Sequence, residues 1–325
     1  MIALLVAWIA LTAGLIGRQP SPDAHAIDRV VREEVDSGFS GVVLVAKGDL
    51  IVLLRPYGPT GLRPTVGSAF WIGSMTKGFT AAAILKLQEE GRLALDDSLK
   101  RFFSDASPDK RAITIRQLLT HTAGFGTTYT GGGIVGRNDA VRAILAQPLS
   151  YAPGSGYEYV DDDYELLAAI VEVASRQPWE KYLKNKLLRP SGLVHTGFWS
   201  RPGVGDWGHH GANGISSTAE DLFRWTRALK SGKVLSRGHV ASLSARQVFV
   251  RFEPPDSIYY GYGVRLYARN GRISETMHSG SSDFGHTGVV RILPSGTTVI
   301  VLSNAGSPGG TTWSSRVARR LAVRQ

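Results

Sequence analysis

The chain has 325 residues, of which 43% are hydrophobic, and this composition is typical of a globular protein with a sizeable core. It contains no cysteine, which excludes disulfide frameworks, thiolate metal sites and a cysteine nucleophile. The net charge of +10 comes from basic residues spread along the chain, with no basic stripe or module typical of nucleic-acid binding. The charge favours a basic exported protein among anionic wall or membrane polymers.

The first 26 residues predict a targeting segment. Residues 2–16 are apolar and uncharged, and the later sequence Ala24-His25-Ala26 matches a signal-peptide cleavage site after Ala26. No lysine or arginine precedes the apolar run, so an uncleaved anchor or a misassigned start stays open, although 15 residues are short for spanning a bilayer. We expect an exported protein (secreted, periplasmic or in the cell envelope) whose folded domain occupies residues 27–325.

Apolar periodicity predicts helices and strands at both chain ends and helices in the middle. The first part contains a helix at 27–37, a hairpin of strands at 41–46 and 50–54, and a buried helix from Ser74 to Gly91. The later elements are helices at 115–120, 138–147, 163–175, 179–188 and 219–229, strands at 258–267, 273–278, 288–293 and 298–302, and a closing helix at 313–323. We therefore predict an α+β or α/β fold: an antiparallel sheet flanked by helices, built from residues 27–99 and 211–325, with an all-helical insertion at about 100–210.

The sequence Ser74-Met75-Thr76-Lys77 is the first candidate for chemistry. On a helix, Ser74 and Lys77 share one face, so the lysine could take the proton of the serine hydroxyl if its pKa were lowered. The same pattern recurs as Ser107-Pro108-Asp109-Lys110, and a plain N-cap serine is an equal alternative for Ser74. The motif alone therefore leaves the role of Ser74 open.

Two other stretches carry candidate residues. Asp161, Asp162 and Asp163 follow Tyr159, and three such carboxylates usually mark a turn or a helix start rather than a metal site. His278 begins the sequence His278-Ser279-Gly280-Ser281, where a structural histidine is the alternative to a catalytic one and His286 is a competitor. The pair His209-His210 has no third ligand, and we interpret it as surface.

The order of Ser74-Met75-Thr76-Lys77, Tyr159-Val160-Asp161 and His278-Ser279-Gly280 resembles the serine β-lactamase and penicillin-binding-protein superfamily. Within it, the sequence is similar to the class C β-lactamase-like branch, which also holds D-alanyl-D-alanine carboxypeptidases, D-aminopeptidases and family VIII esterases. The resemblance runs from about residue 27 to the end and includes residues 70–77, 93–97, 114–125, 214–222 and 298–304. It implies the fold with the inserted helical region and chemistry without metal or cofactor.

The resemblance also implies roles for the residues that match its motifs. Ser74 corresponds to the acylated nucleophile, Lys77 to its activating base and Tyr159 to the tyrosine that relays protons. Gly280 lies on the strand flanking the site, and the backbone N–H groups of Ser74 and Ser281 correspond to the oxyanion hole.

Two residues depart from the family pattern. Asp161 stands where an asparagine usually touches the lysine, and an ionised carboxylate there would make Lys77 a poorer base. His278 replaces the lysine of the family's KTG triplet and removes a permanent cation that could hold a substrate carboxylate. We expect His278 to titrate near neutrality, so that the rate of wild type, but not of His278→Asn, would change between pH 5.5 and 8.

The predicted function is that of a serine hydrolase acting on small carboxylic esters or amides, rather than a strong β-lactamase. A D-amino-acid peptidase or carboxypeptidase on cell-wall peptides is the alternative within enzymes. A non-catalytic penicillin-recognising or scaffolding module is the alternative outside them, and Asp161 is the residue that argues for it.

Overall fold

The computed structural model describes residues 22–61, 63–126, 130–198, 207–282, 285–306 and 312–322. An antiparallel sheet of eight strands forms its centre, and a sheet of three short strands lies beside it. The strands are β1 (Gly41–Lys47), β2 (Leu50–Tyr57), β3 (Phe70–Trp71), β4 (Gly197–Phe198), β5 (Ile215–Ser217), β6 (Val248–Glu253), β7 (Asp256–Tyr260), β8 (Arg265–Arg269), β9 (Arg272–Ser281), β10 (Thr287–Ile292) and β11 (Thr297–Ser303). The large sheet has the order β2-β1-β11-β10-β9-β8-β7-β6, so two of its strands come from the N-terminal part of the chain and six from the C-terminal part.

Helices cover both faces of this sheet and fill the middle of the sequence. They are α1 (Pro22–Asp36), α2 (Thr76–Glu89), α3 (Ile115–Leu119), α4 (Arg137–Ala146), α5 (Asp162–Ser175), α6 (Trp179–Leu183), α7 (Arg189–Ser191), α8 (His210–Asn213), α9 (Ala219–Lys230), α10 (Arg237–Leu243) and α11 (Trp313–Ala322). A π-helical turn, Lys184–Leu188, joins α6 to α7, and 3₁₀ turns cover Gly73–Met75, Leu99–Arg101 and Trp207–His209.

The central strands are buried on both faces, which explains their continuous apolar sequences. In β1, Val43 packs in one apolar cluster with α1 and α11, while Leu44 packs on the opposite side with α2. Successive side chains of a strand point to opposite faces, so a run such as Val42 to Ala46 can fill two cores at once. The sheet is therefore the middle layer of a helix–sheet–helix sandwich.

The predicted fold class is confirmed, with one error among the predicted strands. The run predicted as one strand at 258–267 is two strands, β7 and β8, joined by a turn at Gly261–Val264. Gly263 has a φ of +72°, and a Cβ there would lie 2.6 Å from the carbonyl oxygen of Lys77. The turn thus brings the sheet against the start of α2 as only glycine allows. Alternation alone did not reveal this break, nor did it predict the short strands β3, β4 and β5, or β6 and α10. The insertion predicted to be all-helical at about 100–210 thus contains one strand, β4, because two residues are too few to show a period.

The predicted targeting segment lies almost wholly in residues 1–21, outside the described residues. The predicted cleavage sequence Ala24-His25-Ala26 is part of α1, where Ala24 is buried. Across the part of the chain that the structure describes, no helix combines the length and apolar character needed to cross a bilayer.

Candidate active site

The candidate nucleophile lies on a 3₁₀ turn that leads directly into α2. Neither this turn nor α2 has a side-chain cap, so Ser74 is not the plain N-cap serine that the sequence left open as an alternative. Gly73 has a φ of +53°, and a Cβ on Gly280 of β9 would lie 2.0 Å from the carbonyl oxygen of Ile72 and 2.9 Å from the amide nitrogen of Ser74. The end of β9 is thus pressed against the backbone that carries Ser74, with Ser281 next to Gly73.

Ser74 and Lys77 form the hydrogen-bonded pair that their spacing predicts. The Lys77 Nζ donates to the Ser74 Oγ at 3.2 Å, and the Lys77 side chain is completely buried while Ser74 is half-buried. The aromatic ring of Tyr159 faces the same amine, with the Nζ 4.9 Å from the ring centroid. An amine, a hydroxyl and a phenol therefore meet at one point, which is suited to moving a proton from Ser74.

Asp161 points at Lys77 and forms an ion pair with it. Burial acts to lower the pKa of the Lys77 ammonium, but the charges of Tyr159 and Asp161 and their hydrogen bonds outweigh burial and hold it above its usual value. The ammonium form of Lys77 is therefore favoured in the resting site. The aspartate at position 161, where the family usually has asparagine, thus makes Lys77 a poorer base in the resting site.

Asn213, at the end of α8, is a site residue that sequence reasoning missed. Its side-chain amide donates to Asp161 Oδ2 at 3.0 Å, and the Ser74 Oγ donates to its Oδ1 at 3.4 Å. The residue is 139 positions from Ser74 and follows no motif, so only its neighbour at residues 214–222, part of the resemblance, hinted at it. Asn213 closes a ring of contacts: Ser74 contacts Lys77, Lys77 contacts Asp161, Asp161 contacts Asn213, and Asn213 contacts Ser74 again.

Glu165 of α5 holds α8 in position. Its buried carboxylate accepts the backbone N–H groups of Gly211 at 2.9 Å and Ala212 at 3.0 Å, and the carbonyl oxygen of Ala212 accepts from Lys77 Nζ at 3.4 Å. Burial raises the pKa of Glu165 to about 8, although these two N–H groups oppose the shift. The Glu165 carboxylate therefore positions the backbone that presents Asn213.

We expect Asn213→Ala to lower kcat by roughly 10- to 100-fold, because Ser74 and Asp161 lose a shared partner and the nucleophile is less well oriented. Steady-state kinetics on the best ester or amide substrate measures the change. Asn213→Asp is the sharper test, since a second carboxylate beside Asp161 places like charges together and should be worse than alanine. Wild-type kinetics in both variants would remove Asn213 from the site.

An aromatic cluster around His121 supports Tyr159. The His121 ring lies 4.5 Å from the ring of Tyr159, 5.0 Å from that of Tyr164 and 4.9 Å from that of Tyr260, measured between centroids. His121 has a φ of +57°, a strained conformation for a residue other than glycine, and its carbonyl oxygen accepts the Glu158 N–H at 3.0 Å. This hydrogen bond holds the extended segment that carries Tyr159 in place. His121 belongs to the stretch 114–125 that contributed to the resemblance, but the sequence assigned it no role.

The three consecutive carboxylates that follow Tyr159 have separate partners. Asp161 contacts Lys77 and Asn213, Asp162 accepts the Thr130 N–H at 3.1 Å, and Asp163 lies 2.9 Å from Nδ1 of His121. Burial raises the pKa of Asp163 and lowers that of His121, so their contact is closer to a neutral hydrogen bond than to an ion pair. Among the described residues no three His, Asp or Glu side chains are grouped as metal ligands.

His278 lies on β9 near the candidate base. The sequence led us to expect that it titrates near neutrality, but the structure contradicts this. Its side chain is buried, and its Nδ1 lies 2.8 Å from the carbonyl oxygen of Ser279. Burial, together with the positive charges of Arg265 and Lys77, lowers the pKa of His278 to about 3. The expectation of a His278-dependent rate between pH 5.5 and 8 is therefore wrong, because the imidazole stays neutral throughout that range.

The pKa of His278 predicts a pH-dependent stability instead. An unfolded histidine binds a proton below about pH 6.5 whereas the folded one does not, so folding stability is lost as the pH falls from about 6.5 toward 3. We expect His278→Asn to reduce the slope of unfolding free energy against pH by roughly 1.4 kcal/mol per pH unit in this range. Urea unfolding between pH 4 and 7 measures it, with the exposed His195→Asn as control. Parallel slopes for His278→Asn and wild type would contradict the burial effect.

His286 and His210 have structural surroundings. The His286 ring accepts the backbone N–H of Trp71 at 3.2 Å and lies against Phe70. His210 lies against Trp207 and 3.4 Å from Glu180. In the second Ser-x-x-Lys sequence, Lys110 pairs with Asp109 at 2.7 Å instead of with Ser107.

The sequence model of the family described as Beta-lactamase matches residues 27–323. The chain belongs to the beta-lactamase family. Among its relatives, PbpX of Bacillus subtilis (strain 168) is 29% identical over 251 residues, covering 70% of this chain and 62% of that protein. Protein flp of Staphylococcus aureus (strain N315) is 31% identical over 196 residues, covering 56% of this chain and 39% of that protein. The matches thus span less than two thirds of these relatives' own lengths.

Solved structures share the fold. A penicillin binding protein from Bacillus halodurans superimposes with a TM-score of 0.77 at 23% identity, covering 93% of this chain and 99% of that one. The D-amino acid amidase from Ochrobactrum anthropi SV3, complexed with D-phenylalanine, superimposes with a TM-score of 0.79 at 21% identity, covering 94% and 100%. Family membership supports a hydrolase in general, and these structures show the architecture that carries the site.

Proposed function

We propose that the protein is a serine hydrolase that forms an acyl-enzyme on Ser74 and cleaves carboxylic esters or small amides. The observation that carries this proposal is the 3.2 Å hydrogen bond between the Ser74 hydroxyl and the fully buried Lys77 amine, at the start of a buried helix. A structural serine at a helix start normally caps the backbone, and Ser74 does not.

In the proposed reaction, Lys77 acts in its neutral amine form: it accepts the proton of the Ser74 hydroxyl while the serine oxygen attacks the substrate carbonyl carbon. The negative oxygen of the tetrahedral intermediate accepts hydrogen bonds from the backbone N–H groups of Ser74 and Ser281. In comparable sites, the loss of one such donor raises the activation free energy by about 2.7 to 4 kcal/mol. The intermediate collapses, and the leaving alcohol or amine takes a proton through Tyr159. Water then repeats the sequence on the acyl-enzyme, with Tyr159 accepting its proton.

A second candidate function, cleavage of D-amino-acid peptides with a free carboxylate, is favoured by Arg265. The sequence led us to expect no permanent cation in place of the family's lysine, and His278 is indeed neutral. However, the guanidinium carbon of Arg265 lies 5.4 Å from the centroid of the Tyr159 ring, and its charge acts on His278. Arginine stays charged and binds carboxylates in a bidentate manner, so Arg265 could orient an anionic substrate.

The two substrate classes are separated by Arg265→Gln. If the substrate is a peptide with a free C-terminal carboxylate, we expect its KM to rise roughly 10- to 100-fold in this variant, by loss of a charge-assisted hydrogen bond. The matching peptide amide and a neutral ester should keep their KM. Arg269→Gln, on the same strand and paired with Asp256, is the matched control. Equal KM values for wild type and Arg265→Gln on both substrates would exclude the peptidase candidate.

The enzymatic proposal itself is tested against the non-catalytic alternative by trapping the acyl-enzyme. The protein is incubated with a fluorophosphonate probe or a chromogenic short-chain ester, and the labelled peptide is identified by mass spectrometry. We expect one adduct on the peptide containing Ser74. If the protein is not labelled and does not turn over the ester, the result favours a recognition or scaffolding module, in which Asp161 keeps Lys77 as an ammonium.

We also propose that the protein acts outside the cytoplasm, close to the membrane or the cell wall. The apolar residues 2–16 and the basic composition support this. Fractionation of cells expressing the full chain, with mass determination of its N-terminus, tests the location and the cleavage after Ala26.

A further inference from the structure

A cavity of about 430 Å³ lies between the large sheet and helices α2, α9 and α10. Its floor is formed by side chains on the helix-facing side of β9, β10 and β11, and Phe79 of α2 and Trp225 of α9 cover it. Neither Ser74 nor Lys77 lines it, although Met75 and Gly78 do. The cavity has the volume of a small-molecule site and mostly apolar walls. It adjoins the start of α2 and reaches His278.

The strand register sets the length of this cavity. His278 of β9 lies opposite Val290 of β10, and Ile292 of β10 lies opposite Thr298 of β11. The lining continues to Gly48 in the turn between β1 and β2. Neighbouring strands are about 4.8 Å apart, so the three intervals from β9 to β1 span on the order of 14 Å. With C–C bonds of about 1.5 Å, an extended alkyl chain of about ten to twelve carbons has this length.

The two ends of the cavity differ in charge and exposure. His278 and Met75 at the inner end are buried, and His278 is neutral. At the other end, Asp49 and Lys230 are exposed. The charged residues among the described lining are Asp49, Arg227 and Lys230, and Asp49 forms an ion pair with Arg227. One positive charge therefore remains at the exposed end, where it can meet an anionic head group.

We propose that this cavity binds a linear medium-chain fatty carboxylate, with its tail toward His278 and its carboxylate at Arg227 and Lys230. The apolar walls match the alkyl chain, the width of three strand intervals matches its length, and the cations match its head. The inference does not depend on the proposed hydrolase function, because binding involves no reaction at Ser74.

The chain-length dependence of binding tests the proposal. The full chain is titrated with saturated carboxylates of six to sixteen carbons, by competition with a fluorescent fatty acid. We expect affinity to rise roughly fourfold per added methylene, from the burial of each CH₂, and to level off at about ten to twelve carbons. No binding at any length, or affinity that rises without a break to sixteen carbons, would overturn the proposal.

Two sets of variants locate the binding. The double variant Arg227→Gln with Lys230→Gln should weaken decanoate about tenfold and leave decanol unchanged, since only the carboxylate loses partners. The control double variant, Arg224→Gln with Lys233→Gln, removes the same amount of charge from neighbouring positions in the sequence but changes no residue of the cavity lining. It should leave the affinity for both ligands unchanged. Val290→Trp should fill the cavity and weaken both ligands. If the two double variants behave alike, the ligand is not held at this cavity, whether or not Val290→Trp folds.

Discussion

Ser74→Ala is expected to lower kcat/KM at least 10⁴-fold and to abolish covalent labelling, because it removes the hydroxyl that takes the acyl group in the proposed reaction. The backbone N–H groups and the binding cleft remain, so a small residual rate above that in water is expected. Labelling with the fluorophosphonate probe and ester kinetics measure the two effects. Folding should be unaffected, since the Ser74 side chain caps no helix.

The chain contains its own control for this substitution. Ser107 and Lys110 have the same spacing as Ser74 and Lys77, but the Lys110 side chain pairs with Asp109 at 2.7 Å. Ser107→Ala should therefore keep wild-type labelling and kinetics. Loss of activity in Ser107→Ala, or full activity in Ser74→Ala, would show that the nucleophile has been misassigned.

Asp161→Asn is expected to raise the rate at pH 7 and to move the pH–rate profile toward lower pH. Tyr159 and the Asp161 carboxylate together hold the pKa of Lys77 above its usual value, and removal of an adjacent opposite charge lowers such a pKa by about 1 to 3 pH units. If the neutral amine of Lys77 limits acylation, the rate at pH 7 rises roughly tenfold or more. An ammonium left buried without its partner would cost about 3–5 kcal/mol of stability, and deprotonation of Lys77 avoids that cost.

The profiles of kcat/KM against pH, measured for wild type and Asp161→Asn on one neutral ester, test this expectation. Asp162→Asn is the matched control, because it removes the neighbouring carboxylate, which accepts the Thr130 N–H at 3.1 Å. Superimposable profiles for wild type and Asp161→Asn would show that Lys77 is not the group whose protonation limits the reaction. A slower Asp161→Asn enzyme at every pH would instead assign the carboxylate a positive role in positioning Lys77.

Local patterns were sufficient for the buried helix and for the central strands. The buried helix after Ser74 was predicted because nearly every position in it is apolar, and α2 is buried on nearly all sides. The central strands were predicted from continuous apolar runs, which suit strands covered on both faces. The break at Gly261–Val264 was missed because alternation continues across it, and the turn is imposed by close approach to Lys77.

The sequence by itself determined the fold class, from the periodicity of its apolar residues. It indicated the candidate nucleophile and its lysine from the order of three motifs that resembles a known family. It also raised the question of Asp161, but it could not say where that carboxylate points. Only the tertiary structure placed Asp161 on Lys77, brought Asn213 across 139 positions to Ser74, and buried His278 beside Arg265. Charge, burial and hydrogen bonding between distant segments set these properties, and they arise only when the sheet and the helical region close around α2.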